Sequence, residues 1–417
     1  MPRRVLIGAY ACEPHSGSEP AVGWNWARQA ALSGNEVHMV TRANNRQPIE
    51  AELEKRPIPG LFIHYLDLWR PLQAVKRRSG TIGLIIYYYF WQLALWMKAR
   101  DLHARHPFDI VHHVTFANDW LPSGLALTGL PFVWGPIGGS SHRVPSGFSS
   151  SWSARARAYE ALRATIQGTF LHLDPLLRWT RRRALVALPY TREAAEVLPD
   201  ALRNRSQVVV HIGVEPVSDH SRARPGLGQS IRLVTGGRLV HWKGFDLLIE
   251  ALALNHLEGS LTELLVTGDG PERQSLERLV REHGLESAVQ FTGRLPHVSD
   301  VHSVLIKADV YALLTLRDGP PVAMLEAMHA GLPILYLDLG APAELVPRDA
   351  GFGIQIGTRE ETIVRVAEAL RKIESDPGKL SSMGELAHRY AAQVHSWEAV
   401  GRQIESIYDQ IAPYPSE

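Results

Sequence analysis

Only one cysteine, Cys12, occurs in 417 residues. That scarcity rules out a disulfide framework and a thiolate metal cluster, and it fits a reducing compartment. No base lies near Cys12 in sequence, so it reads as a buried thiol and not as a nucleophile. Neither sign of charge is in excess: 44 Lys and Arg stand against 43 Asp and Glu. The balance argues against a nucleic-acid binder. Long apolar runs are missing too, and none has the length and purity of a membrane span. Met1 to Arg4 lead directly into a strand, Val5 to Ala9, too short for a signal-peptide core. A cytoplasmic protein is expected. No internal repeat or low-complexity tract is present, and the length points to two domains.

What is there has the rhythm of a doubly wound α/β chain. Val5 to Tyr10 is a continuous apolar run, as buried parallel strands require. A loop, a helix from about Ala21 to Ser33 and a strand Val37–Thr41 follow. The loop lacks the G-x-G-x-x-G spacing, which disfavours a nicotinamide cofactor. Further strands are expected at Asp109–Thr115, from Leu130 into a glycine-rich loop ending at Gly139, at Val186–Pro189 and at Val208–His211. The first domain is then 1–215, and Pro216 to Ser230, rich in Ser, Arg, Pro and Gly, reads as a linker. The second domain spans 231–395, and 397–417 carries an amphipathic terminal helix.

Two stretches of the second domain carry chemistry. Ile231–Thr235 runs into Gly236-Gly237-Arg238 and then Lys243-Gly244, a strand, glycine turn and two cations before a helix. Such a pair suits a pyrophosphate. Farther on, a strand Val310–Leu316 enters Arg317-Asp318-Gly319 and two prolines, then a helix from Val322 to Ala330 closed by Gly331. The free amides of Gly319, Val322, Ala323 and Met324 would face an anion. Asp318 reads alone as a helix cap and Glu326 alone as a solvated position. Together they bracket the anion site, and Glu326 among Ala323, Leu325, Ala327 and Met328 would be costly without a partner.

This segment resembles the signature of retaining family-4 glycosyltransferases. In that family two acidic residues eight apart flank a helix start, followed by Ala-Met-x-x-Gly-x-Pro. Glu326-Ala327-Met328-His329-Ala330-Gly331-Leu332-Pro333 fits throughout, with Asp318 where the common pattern has Glu. Gly-Arg-x-x-x-x-Lys-Gly at 237–244 is similar to the family's diphosphate-holding motif. The resemblance implies a GT-B fold, two Rossmann-like doubly wound domains facing a central cleft, with the terminal helix crossing back onto the first. It further implies that Arg238 and Lys243 hold the donor diphosphate and Glu326 the ribose. Asp318 would lie by the donor sugar, and the strand ends at Gly268 and Arg294 near the base. The loop with Gly17 and Ser18 would meet donor phosphates and acceptor. The family commonly has Asp-x-x-His-x-His; Asp109 and His112 match, Val114 stands at the second His position, and His113 comes one residue early. Either the strand ends before His113 or His112 acts alone beside the reacting sugar.

The expected activity is transfer of a hexose, with retention, from a nucleotide-diphosphate sugar to a glycan or lipid-linked acceptor in polysaccharide or glycoconjugate biosynthesis. No metal and no cofactor are implied, since no Asp-x-Asp motif accompanies the phosphate site. The rival outside enzymes is a non-catalytic sugar-nucleotide-binding partner. Two basic, aromatic-rich regions remain: Lys76, Arg77, Arg78, Lys98 and Arg100 around Ile82 to Met97, and seven arginines between Arg155 and Arg183. They suit peripheral contact with the inner, anionic face of a membrane and equally the solvated faces of core helices.

Overall fold

The computed structural model describes residues 2–78, 80–139, 143–215, 230–317 and 319–413. Short apolar runs alternating with helices become parallel strands covered on both faces. The first six strands are β1 (Arg4–Ala9), β2 (Glu36–Thr41), β3 (Leu61–Tyr65), β4 (Ile110–Thr115), β5 (Phe132–Ile137) and β6 (Val186–Pro189). They form one sheet in the order β3-β2-β1-β4-β5-β6, every pair parallel. The next six are β7 (Arg232–Gly236), β8 (Glu263–Thr267), β9 (Val289–Gly293), β10 (Val310–Leu313), β11 (Ile334–Leu337) and β12 (Gly351–Ile354). Their order, β12-β11-β10-β7-β8-β9, is the same topology again, also parallel throughout. Each sheet winds one way from its first strand and the other way from its fourth. The switch points therefore lie between β1 and β4 and between β7 and β10, and ligands of such sheets bind outside the strand carboxyl ends there.

The chain divides into two compact units. The first comprises Met1–Ser141, Ala161–Gly213 and Trp397–Glu417; the second comprises His142–Glu160 and Val214–Ser396. The grouping of His142–Glu160 with the second unit departs from the expected boundary at 215. Phe148, Trp152 and Ala156, spaced four apart, are buried in the core that contains Leu239 and Phe245. The terminal helix Trp397–Ile411 buries Val400, Ile404 and Tyr408 in the first unit, against helix Ser18–Leu32. There the buried Arg3 guanidinium pairs with Glu405 at 2.8 Å.

Other departures are local. Val208–His211 is not a strand: the backbone runs beside β6 through Gln207 N–H to Ala187 O and Val209 N–H to Pro189 O, both 2.9 Å, and only Ala187 and Ser206 form a bridge. The 340–344 turn is the helix Gly340–Leu345. Ile82–Met97 belongs to a helix, Gly80–Arg105, that buries Tyr87, Tyr88, Trp91 and Leu95 and exposes Ile82, Ile86, Phe90 and Met97. The linker lies outside the described residues except for Ser230.

Candidate functional site

In the second unit the carboxyl ends of β7, β8 and β9 are laced together by backbone. Gly237 N–H donates to Thr267 O at 3.0 Å, and Gly268 N–H to Gly293 O at 2.7 Å. Gly268 has φ 113°, and a Cβ there would lie 2.0 Å from the Gly237 carbonyl oxygen. Only glycine permits that approach. The tight packing turns Arg238, on an exposed loop, and Arg294, just after β9, toward one cavity of about 680 Å³.

The far wall of this cavity is helix Val322–His329. Its end is a Schellman motif: Leu332 N–H bonds Ala327 O, Gly331 N–H bonds Met328 O, both 2.9 Å, and Gly331 has φ 71°. At its start, Met324 N–H already donates to Pro321 O at 3.1 Å. The amide set expected to face an anion therefore shrinks by Met324. Val322 and Ala323 remain in the first turn, where N–H groups have no intrahelical acceptor. Glu326 projects from the next turn into the same cavity. Among the described residues no cation pairs with it, and burial pushes its carboxyl up to about 7.

Arg238, Gly268, Arg294, Ala323 and Glu326 thus line one volume. Lys243, Gly319 and Val322 do not belong to that lining, and Asp318 lies outside the described residues. Lys243 closes a short 3-10 turn, His241–Lys243, before helix Phe245–His256. That turn is pinned by an acid the sequence left unassigned. Glu160 accepts from Arg317 and meets His241 Nε2 at 3.2 Å, while the Arg317 guanidinium stacks 4.4 Å from the Trp242 ring.

In the first unit Gly17 caps helix Ser18–Leu32, and both Gly17 and Ser18 are exposed at the loop after β1. The two histidines fall differently from expectation. β4 runs past both, to Thr115, and both are buried. His112 Nε2 meets Gly135 O at 2.8 Å and Nδ1 meets the Tyr408 hydroxyl at 2.7 Å. A carbonyl can only accept, so Nε2 carries the hydrogen and Nδ1 accepts from Tyr408. Burial pushes His112 down to about 3 and His113 to about 4, so both rings are neutral near pH 7. His112 is a brace within the unit, with neither nitrogen left for a sugar. Asp109 is structural too, accepting Arg4 N–H at 2.8 Å.

What sequence reasoning missed here is Glu19. Its carboxylate accepts the Ala117 amide at 3.0 and 3.2 Å, joining the loops after β1 and β4 at the switch point. Burial raises it to about 7. An acid directly after Gly17-Ser18, in the first turn of a helix, was the available signal.

Residues 218–392 match the family model described as Glycosyl transferases group 1. A curated relative, the GPI3 polypeptide of phosphatidylinositol N-acetylglucosaminyltransferase from Saccharomyces cerevisiae, is 25% identical over 218 residues, covering 52% of this chain and 47% of that protein. Amylovoran biosynthesis glycosyltransferase AmsK of Erwinia amylovora is 31% identical over 144 residues, 33% of this chain and 35% of that protein. The chain thus spans less than half the length of these two relatives. Among solved structures, Anabaena Alr3699/HepE in complex with UDP and glucose superposes with a TM-score of 0.62 at 16% identity, covering 98% of this chain and 100% of that one. The likeness to family-4 glycosyltransferases drawn from motifs therefore extends to the fold. Residues 218–392 resemble that family, and the two six-stranded units have the GT-B fold.

Proposed function

We propose that this chain is a retaining, metal-independent glycosyltransferase that moves a hexose from a nucleotide-diphosphate sugar to a glycan or lipid-linked acceptor. One observation carries the reading. At the β7–β10 switch point a single cavity gathers two arginines, the start of a helix and an unpaired carboxylate. A nucleoside diphosphate offers the matching groups: an anion for Arg238 and the amides, and a diol whose hydroxyls donate to Glu326. Lys243 would reach the diphosphate from the adjoining turn. Asp318, by its place in the motif, would contact the donor sugar, and Gly17 and Ser18 the acceptor. Relatives whose names speak of phosphatidylinositol and of amylovoran biosynthesis support a lipid-linked or polysaccharide acceptor.

In such a reaction the bond between the anomeric carbon and the β-phosphate oxygen breaks. The acceptor hydroxyl oxygen bonds to the same face, and its proton passes to the departing phosphate. Charge on the leaving diphosphate is what Arg238, Lys243 and the helix amides would stabilise, in place of a metal. The buried, fully occupied His112 favours a second reading, a non-catalytic sugar-nucleotide binder.

Incubating the chain with UDP-glucose and lipid-linked or oligosaccharide acceptors, and measuring released UDP, decides between the two. Transfer should persist in a strong chelator. Arg238→Ala and Lys243→Ala should each lower turnover by about tenfold or more, roughly 1.4 kcal/mol. Nucleotide-sugar binding with no release across the acceptors would favour the second reading, and rates unchanged in both variants would remove the phosphate assignment.

A further inference from the structure

The carboxyl edge of the first sheet holds two cations that the donor site does not use. Tyr10 follows β1, and its ring is buried. Arg42 follows β2: its guanidinium lies 4.3 Å from the Tyr10 ring centroid, and its Nε donates to Tyr10 O at 3.0 Å. Lys76, from helix Arg70–Arg78, brings its ammonium 5.3 Å from the same ring and 5.0 Å from that of Tyr87. Among the described residues the acid that acts on Lys76 is Asp67, which is exposed and accepts the Tyr87 hydroxyl at 3.1 Å. It forms an ion pair with neither cation among the described residues.

Two like charges half-withdrawn from water beside each other, held over the Tyr10 and Tyr87 rings and ion-paired to no carboxylate among the described residues, repel one another, and an anion between them would offset that repulsion. Burial and the Arg42 charge push Lys76 down to about 8, against a smaller opposing pull from Asp67. A second observation points the same way. Among the described residues the buried Tyr10 hydroxyl has the Arg42 side chain as a donor to its oxygen but no acceptor for its own hydrogen, a place that a ligand oxygen would complete. Helix Arg70–Arg78 thus spends Lys76 at the edge where doubly wound sheets bind ligands, not on the outer surface.

We propose that Arg42 and Lys76, converging on the ring of Tyr10, bind an anionic oxygen group, phosphate or carboxylate, carried by the acceptor. The word acceptor rests on the glycosyltransferase reading; the anion site itself does not. Charge-assisted bonds from a guanidinium and an ammonium would fix the acceptor's charged end and leave its hydroxyl free.

The test is calorimetric titration of the full chain carrying Arg238→Ala, Lys243→Ala and Arg294→Ala, which removes the cations proposed for the second unit's phosphate site. Inorganic pyrophosphate and glucuronate are the probes. At least one should bind saturably; pyrophosphate identifies a phosphorylated acceptor and glucuronate an acidic sugar. Adding Arg42→Gln or Lys76→Met should weaken that binding by about tenfold, and Lys76→Arg should restore it. Affinity for glucuronate, whose own charge is constant there, should also fall between about pH 7 and pH 9 as Lys76 loses its proton. Circular dichroism and melting must match the parent, so that lost binding is not lost folding. No saturable binding of either probe, or equal affinity in the Arg42→Gln and Lys76→Met chains, overturns the proposal. Sugar transfer is measured separately, so failure here leaves the glycosyltransferase reading standing, and absent transfer with intact anion binding does the reverse.

Discussion

The amide of Leu316 donates to the carbonyl of Trp242 at 2.8 Å, fastening the loop that leaves β10 to the loop that leaves β7. The bond lies one residue before Lys243. Gly244 then takes φ 68°, and a Cβ on it would lie 2.0 Å from the Leu314 carbonyl oxygen. The turn that carries Lys243 and the approach to helix Val322–His329 therefore form one backbone unit across the switch point.

Gly244→Ala should break that unit. The left-handed conformation alone costs a residue with a Cβ about 1–2 kcal/mol, and the contact with Leu314 cannot relax without moving a strand end. The melting temperature and the affinity for UDP should fall together. Gly17→Ala is the control: Gly17 has φ −92° and open space where its Cβ would be, so melting should not change. A Gly244→Ala chain with wild-type melting and UDP affinity would refute the coupling.

Glu326 gives a pH dependence with a definite sign. Its carboxyl is raised from 4.5 to about 7 by burial, so between those values the folded chain keeps a proton that the unfolded chain has released. Stability from this group falls as pH rises through that window. Above it, the cavity holds an uncompensated carboxylate. Glu326→Gln should melt higher than wild type at pH 8 and match it at pH 4, while binding UDP more weakly because an amide is the poorer acceptor for ribose hydroxyls. Melting curves at the two pH values and a calorimetric titration check both halves; identical melting at pH 8 would count against an unpaired buried charge.

Much of this was legible because it depends on local chemistry. The Ala327–Pro333 signature spells out a helix end, and the structure closes it with Gly331 in the left-handed region. The strands β1, β2, β4, β5, β6, β7 and β10 were each expected from short runs rich in apolar residues. Other features depend on partners distant in sequence. Glu160 finds Arg317 across 157 residues, and His112 finds Tyr408 across 296; no spacing rule reports such pairs. The helix Gly80–Arg105 was obscured because its apolar residues serve two faces, one buried through Tyr88 and Trp91 and one exposed through Ile86 and Phe90. Lys76 was counted with a surface cluster, and Arg181 with another, although Lys76 turns to Tyr10 and Arg181 donates to the Leu171 and Asp119 carbonyls.

His112→Ala separates a brace from a catalyst. Removing the imidazole leaves the Tyr408 hydroxyl and the Gly135 carbonyl unsatisfied in the interior, a loss of about 1–3 kcal/mol. Denaturant unfolding should show that loss, and kcat measured well below the melting temperature should change by less than about tenfold. A large fall in kcat with unaltered stability would instead return His112 to the reacting centre.

The last prediction concerns membrane contact. Among the described residues no helix is long and apolar enough to cross a bilayer, and the contact expected is a peripheral one. Ile82, Ile86 and Phe90 recur every four residues along helix Gly80–Arg105 and are exposed on one side. Beside them Ile85, Ile86 and Phe90 line an apolar groove of about 400 Å³ with Phe170 and Leu173. Arg78, Arg182 and Arg183 are exposed cations in the same unit, and each near an anionic surface contributes roughly 1 kcal/mol. That electrostatic sum is modest once Lys76 and Arg181 are discounted, so the apolar ridge must supply the rest. The chain should pellet with anionic vesicles at low salt, less at high salt and less still with neutral vesicles. Phe90→Ser with Leu173→Ser should weaken pelleting at every salt concentration without lowering the melting temperature, because both side chains are already exposed. Equal pelleting of this double variant and the wild type would leave the ridge without a part in binding, and no pelleting at low salt would remove the membrane from the account.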